Sequence, residues 1–144
     1  MRPVLSSVLI LLLFLTRSSS TLVAAGSGDT MATEARDKLR QRILPYWYDT
    51  AIDWKQGGYS LCDDAVQSRC VPDEKQLVSQ ARMVWTFSRV HQKGYSTADR
   101  DYLKAARHGV EFLRGHMKDP DHGGYFWSVT LDGKPRDSRK RLYG

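Results

Sequence analysis

KQLVSQARMVWTFS, residues 75–88, has the length of a helix and contains neither Gly nor Pro. Apolar residues fall on almost every turn: Leu77, Val78, Ala81, Met83, Val84, Trp85 and Phe87. A helix apolar nearly all round is expected to be buried rather than laid on a surface. Arg82 sits in its middle. An arginine cannot shed its charge, so a buried one needs an anion, a polar substrate or a lined cavity to face. Arg82 is therefore the leading functional candidate. The competing account is a structural ion pair on a basic face shared with Lys75 and Arg89, seven residues to either side.

Upstream of this stretch the chain opens on a different kind of signal. Residues 1–25 read as a secretory leader. Arg2 supplies a positive start, residues 4–15 an apolar core, and Val23-Ala24-Ala25 a small-residue cleavage site. The apolar run is short for a bilayer span, and Arg17-Ser18-Ser19-Ser20 ends it. The expectation is an exported protein, periplasmic or extracellular, with no membrane segment after cleavage. In an oxidising compartment Cys62 and Cys70, close together in a polar loop, are expected to form a local disulfide. Two cysteines without a nearby His pair do not make a zinc site, so no metal is expected. The chain has no Asn and hence no N-glycosylation sequon. Its net charge of +6 is spread along the sequence. The densest basic patch, residues 136–141, reads as a solvated helix start. With no basic run interleaved with aromatics, nucleic acid is not an expected partner.

Residues 26–32 read as a flexible lead-in to a domain over 33–144. Thr33 is placed to cap an amphipathic helix running to Trp47 or Tyr48, with Ala35, Leu39, Ile43, Leu44 and Trp47 on one stripe and Pro45 bending or ending it. Residues 49–72 form a long loop with a tight turn at Gly57-Gly58. Pro72, Asp73 and Glu74 open the helix that contains Arg82, and Gly94 is its expected C-terminal stop. Ser96 and Asp99 form a capping-box-like start to a further helix reaching Met117, with Leu103, Ala106, Val110, Leu113 and Met117 as its apolar stripe. Residues 125–130 are a strand candidate, Asp132-Gly133 a hairpin turn, and Asp137 the start of another helix.

An internal repeat runs through this order. Gly57-Gly58-Tyr59 and Gly123-Gly124-Tyr125 lie 66 residues apart, each between an amphipathic helix and a more apolar one. A fixed period of this kind implies an array of helical hairpins. In a closed ring the amphipathic helices would be outer and the apolar ones inner, with the Gly-Gly-Tyr loops on one face. Arg82 follows Gly58 by 24 residues and Tyr143 follows Gly124 by 19; the additional segment with Cys62 and Cys70 absorbs the difference. Arg82 and Tyr143 are thus expected at similar depth on adjacent inner helices, facing one central cavity.

These residues resemble the N-acylglucosamine 2-epimerase family, which also contains cellobiose 2-epimerases and mannose or sulfoquinovose isomerases. The resemblance rests on Leu44-Pro45-Tyr46-Trp47, Gly57-Gly58-Tyr59, the nine residues from Gln80 to Ser88, Asp121-His122-Gly123-Gly124-Tyr125, Asp132-Gly133, and Lys140-Arg141-Leu142-Tyr143-Gly144. It covers the chain from about residue 36 onward. It implies an all-α (α/α)6 barrel. Six hairpins of this period need about 400 residues, so the chain reads as roughly the first third of such an enzyme, a fragment or a truncated product.

The chemistry the resemblance implies is reversible proton transfer next to a sugar's anomeric carbon. The ring opens, a base removes the C2 proton, and an enediol-like intermediate is reprotonated, at C2 by an epimerase or at C1 by an aldose–ketose isomerase. Histidines suit the acid and base roles, and a fixed Arg suits the developing oxyanion. By motif, Arg82 is the catalytic candidate, binding the O1/O2 region and stabilising the enediolate. Tyr143 is a substrate contact, and Trp85 and Tyr59 are further candidates for the cavity wall. The implied partner is a mono- or disaccharide, with no cofactor. His91, His108, His116 and His122 do not match the family's catalytic histidines and read as surface residues, so the chain alone is expected to be inactive. Two other classes stay open. One is a hydrolase or lyase on the same scaffold, which would need a cavity-facing carboxylate pair, with Asp63, Asp64 and Asp132 the only nominees. The other is a non-catalytic sugar-binding protein.

Overall fold

A computed structural model describes residues 27–61 and 72–143. The expected leader and the Cys62–Cys70 pairing lie outside the described residues. No described helix is long and apolar enough to cross a membrane.

The first helical layer starts earlier and runs longer than its sequence pattern predicts. α1 spans Ser27–Lys38, so the lead-in expected over 26–32 is helical from Ser27 onward. One π-helical turn, Leu39–Ile43, connects it to α2, Leu44–Ala51. Pro45 neither ends nor breaks the helix. It lacks the N–H that an α-helix would use at that position. The widened turn just before it, closed by Leu44 N–H to Leu39 O, carries the chain past the ring.

β1 is the two-residue strand Lys75–Gln76 and α3 spans Leu77–Gln92. The helix therefore starts two residues later than expected, and Lys75 belongs to the strand. Gly94, at φ 74°, terminates the segment as anticipated. α4 spans Tyr102–Phe112, capped by Asp101, whose carboxylate accepts from the N–H groups of Leu103 and Lys104; a π turn, Leu113–Met117, closes it. The true cap thus lies C-terminal to the Ser96–Asp99 box read from sequence. The buried stripe is correspondingly shifted to Tyr102, Ala105, Ala106, Gly109 and Phe112, and Val110 faces outward. β2, Ser128–Val129, pairs antiparallel with β1 on one side and with β3, Pro135–Asp137, on the other. Residues 138–143 form neither helix nor strand, so the helix expected from Asp137 is absent there.

α3 and α4 pack against each other and divide the interior in two. Leu44, Ile52, Tyr59, Phe87, Val90, Tyr102, Ala105 and Ala106 form the larger cluster. Leu77, Phe112, Met117, Phe126 and Val129 form the smaller one under the sheet. Their apolar burial is the main stabilising term.

The 66-residue repeat is visible atom by atom. Ile52 bridges to Tyr59 and Lys118 bridges to Tyr125. Asp53 N–H donates to Gly58 O, and Asp119 N–H to Gly124 O. Asp53 Oδ1 accepts from Lys55 and Gln56 N–H, as Asp119 Oδ1 does from Asp121 and His122 N–H. A lysine then ties down each second carboxylate oxygen: Lys75 to Asp53 at 2.8 Å and Lys140 to Asp119 at 2.7 Å.

Candidate functional site

α3 is not buried all round, and its two faces do different work. Two residues along a helix is about 200° of turn, so Gln80 and Arg82 point in nearly opposite directions. Gln80 faces inward and is buried. It accepts from Tyr59 N–H at 2.8 Å and donates to Tyr59 O at 2.7 Å. Ala81, Arg82, Trp85 and Arg89 lie on the exposed face. The expectation of a buried Arg82 is therefore corrected: the guanidinium looks into an open cleft rather than a sealed interior.

That cleft has a volume of about 540 Å³ and is lined by Leu77, Val78, Ala81, Arg82, Trp85, Leu113, Tyr125 and Tyr143. Arg82 Nη2 donates to Tyr143 Oη at 2.6 Å, and the guanidinium carbon stands 6.0 Å from the tyrosine ring centre. Trp85, one turn on from Arg82, is 67% exposed, and Tyr143 is 71% exposed. Arg82, Trp85 and Tyr143 are thus assembled on one apolar wall with a single cation in it. Arg82 makes no ion pair among the described residues. The proposed basic face dissolves too: Lys75 points into the loops, and Arg89 hydrogen-bonds Gln92 at 3.0 Å.

Tyr59, the fourth sequence candidate, is not a cavity residue. It is 0% exposed. Its ring packs against Phe87, and its hydroxyl donates to Ala105 O at 2.8 Å. Burial pushes the phenol's pKa well above its ordinary value. Gly109 makes this possible, because a Cβ there would occupy the space of the Tyr59 ring. The repeat partner, Tyr125, lines the cleft instead. The Gly109 in the middle of an otherwise good helix was the available signal that α4 receives a ring.

Lys75 was also missed. Its side chain is 0% exposed, and its ammonium group donates to Asp53 Oδ2, to Gly57 O at 2.6 Å and to Leu131 O at 2.9 Å. Three donors meet three acceptors, which satisfies the buried charge. One residue thus joins the first Gly-Gly loop, the second hairpin and the start of α3. Burial alone would raise the Asp53 pKa, but the Lys75 hydrogen bond and the Gln56 and Lys55 N–H groups outweigh it and hold the carboxyl below its usual range.

None of the four histidines lines the cleft. His116 and His122 are exposed. His91, bonded to Ser96 Oγ, and His108, bonded to Asp53 O at 2.9 Å with its ring tilted against Trp54, are half-buried rather than solvated. Asp132 is held in its turn by Thr130 and Lys134, which lower its pKa to about 2. A glycosidic general acid needs the opposite shift. Asp63 and Asp64 lie outside the described residues. Among the described residues no group of three or more His, Cys, Asp or Glu is placed to hold a metal ion.

A helix–loop motif present twice, with α3 following its first copy and carrying an arginine and a tryptophan on an open cleft, defines a piece of an (α/α) barrel. The chain belongs to the N-acylglucosamine 2-epimerase (GlcNAc 2-epimerase) family, whose sequence model matches residues 57–144. It is 27% identical over 115 residues to the cellobiose 2-epimerase of Bacteroides fragilis, covering 80% of this chain and 29% of that protein. It is 32% identical over 106 residues to that of Eubacterium cellulosolvens, covering 74% and 25%. The cellobiose 2-epimerase structure from Spirochaeta thermophila superposes with a TM-score of 0.65 at 31% identity, covering 75% of this chain and 26% of that one. The chain therefore spans about a quarter of the length of these relatives. The fold class is the all-α (α/α)6 barrel of the family, and the described residues form one arc of it.

Proposed function

We propose that this chain supplies the substrate-binding, oxyanion-stabilising side of a sugar 2-epimerase or aldose–ketose isomerase site. The observation that carries the reading is the Arg82–Tyr143 contact on the apolar wall beside Trp85. A mono- or disaccharide offers an apolar ring face to Trp85 and hydroxyls to the polar pair. Arg82 would bind the O1/O2 edge. As the C2 proton leaves, negative charge grows on that edge, and a guanidinium already in place stabilises it without reorganising. The Tyr143 hydroxyl, now accepting from Arg82, would hold the substrate's oxygen in register.

The proton-transfer steps need a base and an acid poised near neutrality. The four histidines lie away from the cleft wall, which supports a chain that binds sugar without turning it over. The leader-like residues 1–25 support an exported protein whose sugar is met outside the cytoplasm.

Two measurements test this. Cellobiose titrated into the 144-residue chain should change tryptophan fluorescence saturably, and Trp85→Phe should remove most of that change. In deuterated water the chain should incorporate no deuterium at C2 of cellobiose. Saturation unaffected by Trp85→Phe would contradict the binding half, and C2 exchange by the purified chain would refute the inactive half.

A further inference from the structure

The segment that carries Tyr143 has no secondary structure of its own, yet Tyr143 meets Arg82 at 2.6 Å. Something must hold residues 138–143 in place. Two side-chain anchors do so. Arg141 lies over the Trp127 ring, with its guanidinium 4.4 Å from the ring centre and 3.8 Å from Asp137 Oδ2. Lys140, three residues before Tyr143, bonds Asp119 Oδ2 at 2.7 Å and lies 4.7 Å from the Phe126 ring centre.

Of these, the Lys140–Asp119 pair is the repeat counterpart of Lys75–Asp53. In the first copy the lysine fixes the loop to the start of α3, the helix that carries Arg82. In the second copy the same device acts on the loop whose Tyr125 lines the cleft and on the segment whose Tyr143 completes it. Asp119 is buried and its Oδ1 already closes the loop through two N–H groups. Its second oxygen therefore offers a fixed point to the lysine. The Lys140 side chain remains 39% exposed, so the contact contributes little to stability, and its effect is felt in where the segment lies.

We infer that Lys140, held by Asp119, is a positioning residue that sets the Tyr143 hydroxyl against Arg82. This rests on the reading of Arg82 and Tyr143 as one sugar site.

The test labels the full chain with 3-fluorotyrosine and follows the Tyr143 fluorine signal, assigned with Tyr143→Phe. In the unaltered chain that signal should move when Arg82→Lys is introduced. Lys140→Met should shift it toward that of a tyrosine whose hydroxyl has lost the Arg82 hydrogen bond and abolish its response to Arg82→Lys. Lys140→Arg should restore both. Asp119→Asn keeps an oxygen for the two loop N–H groups but removes the charge facing Lys140, so it should reproduce Lys140→Met and serves if that variant folds poorly. With cellobiose as probe, Lys140→Met should weaken binding about fivefold, with no further loss in a Tyr143→Phe background, as coupled residues require. A Tyr143 signal that keeps its position and its Arg82 response in both Lys140→Met and Asp119→Asn overturns the inference. A signal that depends on Lys140 but ignores saturating cellobiose leaves the positioning intact and sinks the sugar-site reading instead.

Discussion

Asp53 and Asp119 close their loops with the same hydrogen bonds, but the tyrosines that follow take opposite directions. Tyr59 turns into the core, where Gln80 holds its backbone and Ala105 accepts from its hydroxyl. Tyr125 turns out to the cleft. The lysines diverge in the same sense, Lys75 sealed between two loops and Lys140 half in water. The cause is what each loop rests on. The first is wedged between α3 and α4, with Gly58 lying close to both Gln80 and Phe112 and with Gly109 admitting the ring. Around the second, a Cβ at Gly123 would meet nothing within 4 Å and one at Gly124 only the Lys140 side chain, and Tyr125 is exposed. The repeat thus keeps its backbone device while one tyrosine is buried in the core and the other lines the open cleft.

The comparison breaks most sharply at the lysines. Lys75→Met leaves the Asp53 carboxylate and two carbonyls facing a buried hole and should cost about 3–5 kcal/mol in urea unfolding. Lys140→Met should leave the unfolding midpoint nearly unchanged. Equal losses in both would mean the two copies are energetically alike. Next in size, Gly109→Ala drives a methyl into the Tyr59 ring and should cost about 1–3 kcal/mol. Gly115→Ala, where a Cβ meets nothing within 4 Å, is the control and should cost nothing. Tyr59→Phe loses one buried hydrogen bond and should cost about 1 kcal/mol, whereas Tyr125→Phe should be silent in the same assay.

The smallest expected effect is the pH dependence. Asp53 has a depressed pKa in the folded chain, so it binds protons more weakly there than when unfolded. Its contribution is complete above the ordinary carboxylate value of about 3.9 and is lost as pH falls through the lower folded value. Stability measured from about pH 5 downward should therefore fall, and Asp53→Asn should flatten that acid limb. An unchanged slope in Asp53→Asn would remove Asp53 from the acid response.

Much of this was written in the sequence, and the parts that were not have physical reasons. The 66-residue period, the Gly-Gly turns and the α3 segment are local signals; Arg82 and Tyr143 meet, but Tyr143 does so from a segment without the helix expected for it. Of the two outcomes expected at Pro45, the helix ending there is excluded, because a π turn just before it absorbs the missing N–H and the helix continues to Ala51. Lys75 misled because helical spacing placed it on a basic face with Arg82 and Arg89, while a two-residue strand places it among three acceptors from distant loops. Tyr59 misled because equivalent positions of a repeat share a backbone, not an environment. The distinction between Tyr59 and Tyr125 lies in Gly109, fifty residues from the tyrosine it admits.

The claim that matters most is that Arg82 faces a sugar. Calorimetric titration of cellobiose into the 144-residue chain and into Arg82→Lys tests it directly. A planar guanidinium that grips two oxygens is not replaced by an ammonium, so the unaltered chain should bind saturably and Arg82→Lys should bind at least about tenfold more weakly, with the same melting temperature. Equal affinity in the two proteins would contradict it.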